Sequence, residues 1–245
     1  TVFGSTLYFT ATNSSNGTEL WTSDGTLNGT VLVKDIYPGQ NNSNIFSNLT
    51  VVGAEIFFTA TNGTDGSELW KSDGTSTGTV QVKDIYSGSG SSYPSIQLVS
   101  GSTLYFTADN STNGTELWKS NGTTTGTVLV HDIYSGSNGS NVSNLTLMDG
   151  TLYFAASSSG SGAELWKSDG TSSGTSSVRD IYSGSSSSWP SYLTVSNNGG
   201  TNTLYFSATS SSYGSELWKS DGTFAGTVQV KDIQTGSSGS NPGNL

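Results

Sequence analysis

The sequence predicts an all-β protein, a five-bladed β-propeller with four antiparallel strands per blade of ~49 residues and a ring closed by the termini. Three observations predict it. The tripeptide Glu-Leu-Trp recurs at Glu19, Glu68, Glu116, Glu164 and Glu216, at spacings of 49, 48, 48 and 52 residues. Within each repeat the apolar residues follow a period of two, the period of a strand. No segment carries the i, i+3, i+4 stripe of an amphipathic helix. Five such repeats fill residues 1–245, which therefore read as a single domain.

The second repeat shows each element in order. Ile56, Phe58 and Ala60 alternate with Phe57, Thr59 and Thr61, a strand with one strongly apolar face. The run Ser67 to Lys71 is the next strand, and Asp73-Gly74 makes the turn after it, where glycine accepts a positive φ. Val80 and Val82 alternate with Gln81 and Lys83 on a further strand. A Gly/Ser loop from Ser87 to Ser92 then leads to the apolar run Ile96 to Val99, the first strand of the third repeat. Four strands with their turns fit the repeat length.

The ends suggest closure. Joined, Asn244-Leu245 and Thr1-Val2 spell the Asn48-Leu49-Thr50-Val51 of the chain interior, as two parts of one strand shared by a closing blade. The alternative is a segment of a longer repeat array, in keeping with Thr1 in place of an initiator methionine.

The octapeptide Glu68 to Thr75, followed by Gly78-Thr79 and Lys83-Asp84-Ile85, resembles the ELWxxDGT repeat family, and the resemblance runs through all five repeats. Asn121 replaces the turn aspartate in one repeat, and Thr22 replaces the lysine in another. The resemblance implies propeller blades in a large secreted or surface-attached microbial protein, and implies no catalytic chemistry. Five-bladed lectins with one sugar site per blade are a looser analogy.

Composition narrows the partners. Eight basic against 18 acidic side chains give a net charge of -10, which argues against a nucleic-acid partner. There is no cysteine for a disulfide or thiolate site, and no apolar run long enough to span a bilayer. All eight cations and fourteen of the acids recur in register. Only Glu55, Asp65, Asp109 and Asp149 break the pattern, so a catalytic acid/base pair peculiar to one repeat has little to draw on.

His131, the one histidine, stands where other repeats carry Lys or Arg and reads as their substitute on a strand. The repeated Asp-Gly offers too few oxygens for calcium and reads as an aspartate bonding its own turn. No cofactor or metal is expected. Trp21, Trp70, Trp118, Trp166 and Trp218 recur in register and read as filling between neighbouring sheets. Trp189 and Tyr93, each on a Gly/Ser loop and each before a proline, are the candidates for stacking on a sugar ring, with loop anchoring as the other reading.

Twelve Asn-x-Ser/Thr sequons, at Asn13, Asn16, Asn28, Asn41, Asn48, Asn62, Asn110, Asn113, Asn121, Asn138, Asn141 and Asn144, are candidates for covalent N-glycans. All precede residue 150, although the Ser/Thr/Gly-rich composition continues to the end. The expectation is a non-enzymatic, extracellular or cell-surface scaffold module of a filament-forming glycoprotein, contacting copies of itself or a matrix polysaccharide. The alternative is a carbohydrate-binding, lectin-like propeller.

Overall fold

The computed structural model describes residues 1–46 and 48–245. The chain divides into two compact halves, Thr1–Leu129 and Val130–Leu245. The first half holds a sheet of β1 (Val2–Phe3), β2 (Thr6–Asn13), β3 (Gly17–Ser23) and β4 (Val31–Lys34). It also holds a sheet of β5 (Thr50–Val52), β6 (Glu55–Thr61), β7 (Ser67–Ser72) and β8 (Val80–Lys83). Next come β9 (Ser95–Ser100), β10 (Thr103–Asp109), β11 (Thr115–Ser120) and β12 (Val128–His131), the last strand ending just past the boundary.

The second half contains β13 (Ser143–Met148), β14 (Thr151–Ser157), β15 (Ala163–Ser168) and β16 (Ser176–Arg179). Its other sheet is β17 (Ser191–Asn198), β18 (Thr201–Ser210), β19 (Gly214–Ser220) and β20 (Val228–Lys231). Strand order follows chain order in all five sheets, and the pairings are antiparallel.

The repeat fixes the register. Phe58 pairs with Trp70 across β6 and β7, and Phe9–Trp21, Phe106–Trp118, Phe154–Trp166 and Phe206–Trp218 do the same. On the last strand a bulge follows: Leu69 faces Lys83 while Trp70 faces Gln81, leaving Val82 extra. That residue is turned inward, 3% exposed, whereas Val80 is 37% exposed. The connection after β7 is seven residues, Asp73 to Thr79, rather than a two-residue hairpin. Asp73 Oδ1 accepts from Thr75 N and Oγ1 at 2.8 and 2.7 Å, and Thr75 Oγ1 accepts from Gly78 N at 2.9 Å. Gly78 is required there, because a Cβ would run into the Asp73 carboxylate.

The core lies between sheets. One cluster joins Tyr8, Leu20, Val33 and Ile36 of the first repeat to Ile56, Phe58, Ala60 and Trp70 of the second. A second joins Phe57, Leu69, Val82 and Ile85 to Leu104, Phe106, Ala108 and Trp118. A third, in the other half, joins Tyr153, Leu165, Val178 and Ile181 to Leu204, Phe206, Ala208 and Trp218. Phe57 and Phe58 are both buried, so the β5–β8 sheet is covered on both faces rather than having one apolar side. Trp70, Trp118 and Trp218 fill these spaces, as their recurrence predicts, whereas Trp21 is only half-buried.

The predicted closed five-bladed propeller needs correction. Five four-stranded antiparallel sheets are present, but each is open, and among the described residues no ring closed by the termini is shown. β1 pairs with β2, and Leu245 belongs to no strand, so the ends do not share a closing sheet. Their polar groups are taken up nearby: Thr1 Oγ1 donates to Leu49 O at 2.6 Å, and Leu245 O accepts from Thr194 Oγ1 at 2.9 Å. The matching tetrapeptide marks a repeated position, not a shared strand.

Candidate functional site

The site begins with a buried carboxylate. Strand alternation turns Glu68 inward at the start of β7, where it is fully buried. Its Oε2 accepts from Ile85 N at 2.9 Å and Ser92 Oγ at 2.6 Å, and its Oε1 accepts from Tyr86 N at 3.3 Å and Ser92 N at 3.0 Å. The carboxyl thus ties the end of β8 and the following loop to β7. Glu164 repeats this with Ile181, Tyr182 and Ser188, and Glu216 with Ile233, Gln234 and Ser240.

Burial pushes the Glu68 carboxyl up to about 7, against the opposing hydrogen bonds from Ser92, Ile85 and Tyr86. Burial raises Glu19 and Glu164 as well. Glu216 goes the other way. Burial raises it, but it lies at a thin margin of protein though closed to water, and the hydrogen bonds from Ser240, Ile233 and Gln234 prevail.

The serine held by each glutamate fixes the residue after it. Tyr93 N donates to Ser67 O at 3.2 Å and Trp189 N to Ala163 O at 3.2 Å. Both residues adopt left-handed backbone, with φ of 46° and 48°. Asn44, Asn141 and Asn241 take the same conformation at the same offset, twenty-five residues after Glu19, Glu116 and Glu216. Asparagine suits left-handed backbone, whereas a bulky aromatic there is strained. Trp189 is therefore in register with Tyr93. The two side chains stand 72% (Tyr93) and 63% (Trp189) exposed.

Around Tyr93 the first half forms a groove. One cavity of about 460 Å³ lies among Phe46, Asn48, Thr50, Tyr93, Ser95 and Ile96. A second, of about 380 Å³, reaches Tyr37, Thr61 and Ser91, and shares Phe46, Ser67 and Tyr93 with the first. Phe46 is 82% exposed, so two bare rings bound the groove. Its lining offers hydroxyls and amides, and no charged side chain. In the second half, Trp189 is followed by exposed Tyr192, also left-handed at φ 56°.

The sequons divide by environment. Asn28, Asn41, Asn48, Asn121, Asn138, Asn141 and Asn144 are exposed. Asn13, Asn62 and Asn110 spend the amide nitrogen that would carry a glycan inside their own hairpin loops, on Asn16, Asp65 and Asn113, and the exposed Asn41 and Asn144 donate theirs to Pro38 O and to Ser143 Oγ and Pro190 O. Asn16 donates to Asp35 at 2.9 Å. Asn48 lines the groove itself. His131 Nδ1 bonds Ser172 Oγ at 2.8 Å.

The four irregular acids are all engaged: Glu55 with Lys71, Asp65 with Asn62 and Asp109 with Ser111 N within their own repeats, and Asp149 with Asn202 of the next sheet. Among the described residues no group of three or more His, Asp or Glu side chains could hold a metal ion. Among them, too, no helix is long and apolar enough to cross a membrane. Neither the glutamate-to-serine tie nor Phe46 was anticipated from the sequence, though the constant twenty-four-residue offset from glutamate to serine is a signal for the first.

No family model matches the chain, and no curated protein matches it significantly. Solved structures with similar portions include a puromycin hydrolase mutant complexed with PGG, at 15% identity and TM-score 0.48, covering 88% of this chain and 33% of that one. A prolyl endopeptidase gives 10% identity and TM-score 0.49, covering 91% and 32%. TolB from Acinetobacter baumannii gives 14% and 0.41, covering 84% and 49%. The chain thus spans between a third and a half of these proteins, and likenesses of this degree assign neither a site nor an activity.

Proposed function

We propose that the chain is a carbohydrate-binding module and that the groove between Phe46 and Tyr93 takes an uncharged saccharide. The observation that supports this most is Tyr93 itself, an aromatic ring held bare in a backbone conformation better suited to asparagine. Strain at an exposed loop tip is tolerated where the displayed ring has work to do. A pyranose has apolar C–H faces that stack on such rings and equatorial hydroxyls that suit Thr50, Ser67, Ser95 and Asn48. Aromatic contacts of this kind contribute ~0.5–1.5 kcal/mol each beyond the area they bury. The absence of charge in the lining favours neutral over anionic sugars. The cavity volumes fall in the range of small-ligand clefts.

This reading makes the chain a binder rather than a catalyst, since its recurrent carboxylates serve as ties between strands and loops. The extracellular location and the ELWxxDGT resemblance expected from the sequence accompany it as part of the proposal. A glycan on Asn48 would stand in the groove mouth, so the reading requires that asparagine to be bare in the binding form. A glycan array followed by calorimetry on the best neutral oligosaccharide tests it. Tyr93→Ala and Phe46→Ala should each weaken binding about tenfold, the equivalent of ~1.4 kcal/mol. Unchanged affinity in both variants, or binding only to anionic glycans, would remove the proposal.

A further inference from the structure

The three inter-sheet clusters share one composition. The earlier sheet supplies an aromatic, Leu, Val and Ile, and the later one Leu or Ile, Phe, Ala and Trp. A cation on the last strand of the earlier sheet closes each contact. Lys34 Nζ donates to Thr79 O at 2.7 Å, Lys83 Nζ to Thr127 O at 2.9 Å, and Arg179 Nη1 to Thr227 O at 2.7 Å. Lys83 also lies 5.8 Å from the centre of the Trp118 ring.

Two faces of this kind are left bare. On the last sheet, Val230 is 45% and Ile233 55% exposed, where Val178 and Ile181 are buried. Tyr205 and Leu217 are half-buried beside them, and Lys231 projects into solvent. On the first sheet, Leu7 is 45% exposed where Leu204 is fully buried, and Phe9, Ala11 and Trp21 are only partly covered. Leu27, on the first turn, is 92% exposed.

The two bare faces match the third cluster residue type for residue type. Tyr205, Leu217, Val230 and Ile233 correspond to Tyr153, Leu165, Val178 and Ile181, and Leu7, Phe9, Ala11 and Trp21 to Leu204, Phe206, Ala208 and Trp218. Lys231 stands where Arg179 does, and the Thr30 carbonyl where that of Thr227 does. We propose that these faces are complementary halves of one more interface, and that the last sheet of one copy docks on the first sheet of a second copy, head to tail. Lys231 would then donate to Thr30 O of the next copy, and Leu27 would cover the lysine stem as Phe224 covers Arg179 at 4.8 Å. A contact between unlike faces continues in series or closes into a ring of copies.

Sedimentation velocity on the 245-residue chain over a wide concentration range tests this, with circular dichroism confirming that the variants fold. Wild type should gain mass in whole-chain steps as concentration rises. Leu27→Glu, which blocks the first face, and Ile233→Glu, which blocks the last, should each stay monomeric at every concentration. Mixed in equal amounts, they should form a dimer and nothing larger, because one good face of each kind remains. A wild type that stays monomeric throughout overturns the proposal. So do single variants that assemble like wild type, or a mixture that fails to dimerise.

Discussion

Glu68 carries a folded-state pKa of about 7 against an ordinary value of 4.5, because burial penalises its charge more than Ser92, Ile85 and Tyr86 stabilise it. The neutral form has a place for its proton. Ser92 Oγ, 2.6 Å from Oε2, can accept it while donating to Ser67 O, 3.4 Å away. A raised folded-state value means that the native chain holds a proton the unfolded chain has already released. The resulting stability is complete below pH 4.5 and is lost as pH rises through 7, by up to ~3 kcal/mol. Glu19 and Glu164 act in the same direction. Asp24, Asp73 and Asp221 act in the opposite one: their threonine partners lower them, so their contribution is present above their ordinary 3.8 and lost on further acidification. The melting temperature should therefore peak in weakly acidic buffer and fall towards pH 8. Glu68→Gln should flatten the upper limb while keeping most of the hydrogen bonds. A melting temperature that climbs steadily from pH 5 to pH 8 would contradict this account.

At the scale of elements, the loop between one repeat's last strand and the next repeat's first is a fixed frame with one variable position. The frame is the glutamate, its serine and a left-handed residue, and the variable is the side chain displayed: Asn44, Tyr93, Asn141, Trp189, Asn241. Tyr93→Asn should relieve strain and stabilise the chain by ~1 kcal/mol, while weakening saccharide binding at the groove about tenfold, as Tyr93→Ala does. Thermal unfolding and calorimetry on the same variant check both parts, and a destabilised Tyr93→Asn would show that the ring is packed rather than displayed. Strands were readily legible in the sequence, since period-two alternation and the Glu-Leu-Trp recurrence locate the β6 and β7 type pairs within a residue or two. The loop was not. Its geometry depends on Glu68 reaching twenty-four residues along the chain to Ser92, and no local pattern announces a partner at that distance. The two-residue turn at Asp73-Gly74 failed for a related reason: Thr75 and Thr79 extend the connection by bonding back to it. Phe46 escaped notice because a lone aromatic in an Asn/Ser-rich loop has no periodicity to mark it.

For the whole chain, stability is a sum over sheets and the clusters between them, as in other repeat proteins. The β5–β8 sheet borders two clusters, whereas β1–β4 and β17–β20 each have one apolar face uncovered. Each large side chain sealed in a cluster contributes ~1.5–3 kcal/mol, so the loss of one cluster decides which sheets open first. The closed ring predicted from the sequence would have removed this difference, because every sheet would then have two neighbours. Hydrogen exchange in dilute protein should find the β6 and β7 amides best protected, with those of β2, β3, β18 and β19 opening earlier. If copies join head to tail, the β1–β4 and β17–β20 sheets should gain protection as concentration rises while β6 and β7 change little. Uniform protection at all concentrations would mean that the chain opens as one block, and that its bare faces contribute nothing to the order of unfolding.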